Sequence, residues 1–175
     1  MRVSLLGIVA AAAAMWAAGS TTVTAEPSAK SVSGLPIPRF VSLKTNQVNV
    51  RAGPTKDHGV SWVFNRAGLP VEITAEFETW RRIRDWEGAE GWVYHSLLSG
   101  RRTATVAPSG KNKDELLPLH DRADADSAVV AKLQVGVQAA VKRCTGTWCR
   151  ITGPGFDGWI EQVRLWGVYP DEKID

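Results

Sequence analysis

Two cysteines, Cys144 and Cys149, stand in the stretch CTGTWC and are the only two in the chain. Three chemistries suit such a pair: a thiol–disulfide redox site, half of a metal site, or a structural staple. Redox pairs usually hold two residues between the thiols, and this pair holds four. A metal site needs three or four converging ligands. His58, His95 and His120 are scattered, each without a carboxylate or thiol partner at ligand spacing. DRADAD at 121–126 superficially suggests calcium ligands, but it lacks the glycine and the closing glutamate of a calcium loop. No serine-nucleophile elbow and no phosphate-cradling loop is present. What remains are tryptophans and arginines, which recognise rather than react. Eight tryptophans are present, and all but Trp16 lie beyond residue 25.

The elements that must position these residues come from an internal repeat. Gly68 to Trp80 reads GLPVEITAEFETW and Gly136 to Trp148 reads GVQAAVKRCTGTW, twelve residues from glycine to tryptophan in both. TWRRIRDWEGAEGWVYHSLL then stands against TWCRITGPGFDGWIEQVRL, with Thr-Trp, Arg-Ile and Gly-Trp recurring in order. Upstream, VNVRAGP at 48–54 aligns loosely with LPLHDRAD at 117–124. Each copy spans roughly 55–65 residues, a size that can fold alone. Within the copies apolar residues alternate with polar ones, as at Val71, Ile73 and Ala75, and no amphipathic helix is evident. The expected fold class is all-β: two tandem small barrels of five to six antiparallel strands each. The boundaries are 40–107 for the first, with Arg102–Val106 as its last strand, then a linker at 108–114, 115–170 for the second, and a C-terminal tail at 171–175.

The register of the repeat puts Cys144 where the first copy has Glu76, and Cys149 where it has Arg81. Both pairs make sense as residues facing each other across a hairpin, where Cβ atoms lie about 4.5–5.5 Å apart. This predicts a disulfide worth roughly 2 kcal/mol, and in the first copy an exposed ion pair worth under about 1 kcal/mol.

Residues 1–25 read as a secretory signal peptide: Arg2, an apolar run from Val3 to Ala18, and small residues before Glu26. Residues 26–39 read as a flexible leader. Cleavage lowers Lys+Arg from 21 to 20 against 18 acids, a net charge of +2. That is too weak for nucleic-acid binding. No later stretch is long enough to span a membrane. Export implies a periplasmic or extracellular location in which disulfides persist.

VNVRAGP, a loop, a glycine-initiated hairpin ending TWRRI, and then EGWVYHSLL resemble the bacterial SH3-like domain of exported proteins. CTGTWCRI and DGWIEQVRLWGV resemble it less strictly, and HDRAD replaces the Val-Arg-x-Gly-Pro sequence. The resemblance covers about residues 40–170. It implies partly open SH3-like β-barrels that bind cell-wall peptides or other proteins, without catalysis and without a cofactor. Neither copy has the acidic loop or tyrosine pair with which eukaryotic relatives grip proline-rich helices, which argues against a PxxP ligand.

Four tryptophans recur in the repeat, Trp80 with Trp148 and Trp92 with Trp159; Trp62, Trp86 and Trp166 do not. With Ile83 in the core, alternation sends Trp80 and Arg82 to the outer face. Trp80 then either covers the barrel or lines a groove, the place the resemblance gives to a ligand-stacking tryptophan. Trp92 and Trp159 read as structural, as do the turn glycines Gly68 and Gly136, and Trp166 reads as packing between barrels. Trp62, in or after the long loop, and Trp86, in the loop before Gly-Trp, read as open to binding. The candidate ligand-binding set is Arg51, Trp62, Trp80, Arg82 and Trp86 in the first copy, and Trp148 with Arg150 in the second. Aromatic rings would stack and arginines would meet carboxylates. The expected ligand is a peptidoglycan stem peptide or an envelope protein. A ligand-free scaffold and a thiol-redox protein are the rivals.

Overall fold

The computed structural model describes residues 31–108, 110 and 112–175. The signal-peptide reading and the start of the leader lie outside the described residues. Among the described residues no helix is long and apolar enough to cross a membrane.

The first barrel runs β1 (Arg39–Leu43), β2 (Val48–Arg51), β3 (Val60–Phe64), β4 (Pro70–Phe77), β5 (Trp80–Arg84) and β6 (Glu90–Tyr94). A 3-10 turn, His95–Leu97, then leads to the two-residue β7 (Leu98–Ser99). The second repeats the plan: β8 (Thr103–Val106), β9 (Leu116–His120), β10 (Val129–Gln134), β11 (Gln138–Thr145), β12 (Trp148–Gly153) and β13 (Phe156–Glu161). The turn Gln162–Arg164 and β14 (Leu165–Trp166) follow, and β15 (Lys173–Ile174) ends the chain. The sheet orders are β3-β2-β6-β5-β4-β1-β7 and β10-β9-β13-β12-β11-β8-β14, identical in plan. The chain is all-β, with six antiparallel strands and a two-residue closing strand in each repeat.

The repeated sequence features have repeated causes. Gly68 and Gly136 both have positive φ, at 75° and 86°, a backbone conformation costly for side-chain-bearing residues. Their amides donate to the carbonyls of Leu43 and Val106, tying the turn before β4 or β11 to the end of β1 or β8. The Gly-Trp glycines let strands cross closely. A Cβ on Gly91 would sit 2.4 Å from the Val50 side chain, and one on Gly158 would sit 2.6 Å from the His120 carbonyl oxygen. Each barrel closes on its own apolar core, Leu43, Val48, Val50, Val71, Ile73, Ile83 and Val93 in the first. Leu117, Leu119, Leu133, Ile151 and Ile160 lead the second.

Three boundaries differ from the sequence expectation. The strand at 103–106 does not complete the first barrel; it pairs with β11 and β14 in the second. Thr-Ala-Thr-Val alternates acceptably for either sheet, so local pattern does not choose between them. Ala104 and Val106 enter the second core, while the Thr103 hydroxyl donates to the Gly68 carbonyl across the junction, at 2.7 Å. Residues 108–114 therefore lie inside the second repeat, and only residues 100–102 connect the sheets. The leader is not loose beyond residue 31: the Ser33 amide and hydroxyl donate to the Glu76 carboxylate, at 2.8 and 2.7 Å. The C-terminal residues are not a tail either. β15 pairs with β11 at Cys144 and Thr145, and Glu172 receives two hydrogen bonds from Arg102.

The barrels meet through specific contacts. Trp166 stands edge-on to Phe40, their rings 5.1 Å apart, and Tyr169 tilts against the same Phe40 ring at 4.6 Å. The Tyr169 hydroxyl donates to buried Glu72 at 2.8 Å. Burial and the Glu72 carboxylate together push the phenol well above the usual tyrosine range, so it stays protonated and able to donate. Glu72 is also held by Arg84, whose guanidinium lies 5.9 Å from the Trp166 ring centre.

Candidate functional site

Strand register builds a cleft on the outer face of each barrel. In the first, Trp80 on β5 stands opposite Tyr94 on β6, and Arg51 on β2 stands opposite Trp92. Residues paired across a ladder share a face, so Trp80, Tyr94, Trp92, Arg82 and Arg51 lie on one side of the sheet. Trp80 and Tyr94 meet edge to face with ring centres 5.6 Å apart. Asn49, Arg51, Lys56, Trp80, Tyr94 and Leu97 enclose a cleft of about 290 Å³. Trp80 forms its wall and is only 8% exposed, because neighbouring side chains and the β2–β3 loop close around it. Outer face and solvent exposure are thus different things here. The Arg51 guanidinium is oriented by the His58 carbonyl at 2.6 Å. Among the described residues neither Arg51 nor Lys56 forms an ion pair, so this cleft carries two uncompensated cations beside two aromatic rings.

The second barrel has a cleft of about 330 Å³ in the same place, with Trp148 where the first has Trp80. His120 stands edge-on to Trp148, ring centres 5.4 Å apart, and its Nδ1–H donates to the Ser127 carbonyl at 3.2 Å. Glu115, Glu161 and Arg164 bring charge to this lining.

The other sequence candidates fall elsewhere. Trp62 lies within β3, just after the long loop, and its ring packs against the first core and Phe64 rather than opening to a ligand. Arg82 is on the correct face but outside the cleft, paired with Glu90 at 2.6 Å. Arg150 likewise pairs with Asp157 at 2.8 Å and does not line the second cleft. Trp86 is in a third cleft of about 380 Å³ at the junction of the barrels, with Glu87, Lys113 and Trp166. Lys113 lies over the Trp86 ring and pairs with Glu87. Trp92 and Trp159 are half-buried covers on the sheets.

Sequence reasoning did not select Tyr94, Lys56, Asn49, His120 or Glu161. Tyr94 was within reach, since it follows Trp92 by two on a strand and so shares its face. Lys56 enters from a loop whose path no periodicity reports.

Cys144 and Cys149 face each other across β11 and β12 and form a disulfide, Cα atoms 4.1 Å apart. Glu76 and Arg81 face each other at the matching place across β4 and β5. That pair is not the exposed one the sequence suggests. The Glu76 side chain is 1% exposed, with Arg81 at 3.1 Å and Arg39 at 2.6 Å. Burial pulls the Glu76 pKa upward, but hydrogen bonds from Ser33 and Arg39 and the charge of Arg81 outweigh it and hold the carboxyl at about 2. Among the described residues no group of three His, Cys, Asp or Glu side chains is arranged to hold a metal ion.

The family model described as bacterial SH3 domain matches twice, over residues 44–100 and 113–167. The first match begins directly after β1, and the second begins between β8 and β9. No curated protein matches the chain. Among solved structures it is similar to NlpC2 of Trichomonas vaginalis, at 12% identity over 74% of this chain, with a TM-score of 0.34. It is also similar to NlpC1 of the same organism, at 14% identity over 79%, with a TM-score of 0.34. The chain spans about half the length of each, 48% in both cases.

Proposed function

We propose that this chain, which belongs to the bacterial SH3 domain family, is an exported, non-catalytic protein whose first barrel binds a carboxylate-bearing peptide of the cell envelope. A peptidoglycan stem peptide is the ligand that fits best. One observation carries this reading: Arg51 and Lys56, without ion-pair partners among the described residues, stand beside the Trp80–Tyr94 pair in one cleft. Guanidinium and ammonium groups supply charge-assisted hydrogen bonds to a carboxylate. The aromatic rings give apolar contact at little cost in side-chain entropy.

Sedimentation of the protein with purified peptidoglycan tests the reading. Wild-type chain is expected in the pellet. Trp80→Ala is expected in the supernatant, and Arg51→Ala should weaken binding about tenfold. Equal pelleting of all three would overturn it. A ligand-free scaffold is the second reading, favoured by the contacts of Trp166 and Tyr169 that hold the barrels together. It predicts no pelleting of any form.

A further inference from the structure

The loop between β2 and β3, residues 52–59, is folded like the loop between β9 and β10, residues 121–128, although only Asp57 and Asp126 are the same residue in both. Arg51 pairs with Trp92 as His120 pairs with Trp159, which fixes the correspondence. Four contacts then recur place by place. The Ala52 amide donates to the Gly59 carbonyl at 3.1 Å, and the Asp121 amide to the Ala128 carbonyl at 3.0 Å. The strand side chain donates to a carbonyl at the far end of the loop, Arg51 to His58 at 2.6 Å and His120 to Ser127 at 3.2 Å. The Asp57 amide donates to the Thr55 hydroxyl at 3.3 Å, and the Asp126 amide to the Asp124 carboxylate at 3.0 Å. Finally the side chain at the far end turns back. His58 Nδ1 and the Thr55 hydroxyl are hydrogen-bonded at 2.8 Å, and the Ser127 hydroxyl donates to the Asp124 carbonyl at 2.7 Å. The loop is thus one clip built twice from different side chains. The residue between its anchors, Lys56 or Ala125, is the one it presents to the cleft. In the first clip the His58 ring lies so close over Gly53 that a Cβ there would sit 2.3 Å from it. The second clip has the small Ser127 in place of the ring, and Arg122 in place of that glycine.

We propose that His58 is the positioning residue of the first cleft, and that through this clip it makes Lys56 the group that selects a carboxylate ligand. The inference rests on the carboxylate reading of that cleft and adds what holds its second cation in place. A lysine on a free loop loses backbone as well as rotamer entropy when it engages a ligand. The clip removes the backbone part beforehand, because Thr55 and His58, on either side of Lys56, are tied to each other. The same residue acts on both cations. The His58 carbonyl orients the Arg51 guanidinium, and the His58 ring fixes the segment that carries the Lys56 ammonium. In the second cleft the same clip presents Ala125, which has no charge to offer, so that cleft lacks this means of selection.

The test uses the full chain, labelled with 15N, as wild type, Lys56→Met, Thr55→Val, His58→Ala and the double variant of Thr55→Val with His58→Ala. Thr55 and His58 lie outside the first core, so the fold is expected to survive each change. Without ligand, backbone relaxation at Lys56 should report a rigid loop in the wild type and added fast motion in His58→Ala. Two probes are then followed through the Trp80 indole N–H signal: acetyl-leucyl-glutamate, which carries carboxylates, and acetyl-leucyl-glutamine amide, which carries none. The wild type is expected to prefer the glutamate probe, and Lys56→Met to lose most of that preference. His58→Ala should weaken the glutamate probe about fivefold and leave the glutamine probe unchanged, a change in selectivity that loss of packing alone would not give. The double variant should be no weaker than His58→Ala, since both changes remove one contact. The inference is overturned if His58→Ala leaves the Lys56 relaxation unchanged, if it weakens both probes alike, or if Lys56→Met keeps the preference. If neither probe moves Trp80 in the wild type, the carboxylate reading fails, and with it the selectivity assigned to Lys56. The relaxation measurement still decides whether His58 fixes the loop, so the two failures are told apart.

Discussion

The hairpin β4–β5 of the first barrel is closed by a buried ion pair, and β11–β12 of the second by a disulfide at the same place. The two solutions make different demands on their surroundings. A buried carboxylate must have its lone pairs satisfied, since an unpaired one costs several kcal/mol. Glu76 meets this by drawing Arg39 and the Ser33 segment onto the barrel. The disulfide has no such requirement, and Cys144 and Cys149 sit directly in the second core. Its hairpin is covered instead by β15, which pairs with β11 beside Cys144. The segment 31–38 thus answers a demand of the buried charge in the first barrel, whereas 171–175 joins the second by strand pairing. The clefts teach the same lesson. One backbone plan, with one tryptophan position kept, carries Arg51 and Lys56 in one cleft and Glu115, Glu161 and Arg164 in the other.

The comparison can be broken most severely at Arg81. Arg81→Ala leaves Glu76 buried beside fewer cations and is expected to cost about 3–5 kcal/mol of stability, read from the urea midpoint. A loss under 1 kcal/mol would mean that Arg39 and Ser33 suffice alone.

The ion pair also makes stability depend on acid, and the disulfide does not. The folded Glu76 pKa of about 2 lies below its ordinary value of 4.5. Its contribution is therefore complete above pH 4.5 and is lost as pH falls through about 2, in total about 3 kcal/mol. Urea titrations at stepped pH should show this fall in the wild type and a flatter profile in Glu76→Gln.

Removing both cysteines, Cys144→Ser with Cys149→Ser, should lower stability by about 2 kcal/mol at any pH in that range. A pH-dependent deficit would contradict the comparison.

The smallest effect belongs to Arg82. Its pair with Glu90 is exposed, so Arg82→Ala should change stability by under about 1 kcal/mol. It should leave peptidoglycan pelleting unchanged, in contrast to Arg51→Ala. Loss of pelleting would extend the first cleft along β5 toward Arg82.

Much of the architecture is local and was legible. Alternation marked the strands because a sheet buries one face of each strand. The repeat fixed the facing of Cys144 with Cys149 and of Glu76 with Arg81, because hairpin register follows from turn length. Turn glycines were legible for the same reason. Trp80 and Arg51 were selected from pattern and share a cleft; Trp62, Arg82, Trp86 and Arg150 were selected by the same reasoning and lie outside the two equivalent clefts. Pattern identifies a side chain's face, not the neighbours that enclose it.

What the sequence determined by itself is a pair of all-β repeats, their hairpin registers and the tryptophan common to both clefts, because each depends on spacing within a few residues. Tertiary structure decided the rest. It assigned Thr103–Val106 to the second sheet, buried Glu76 beneath the leader, and brought Lys56 to Trp80. Each of these joins segments distant in the chain, and their energies come from burial and charge supplied by the other segment, which no local pattern encodes.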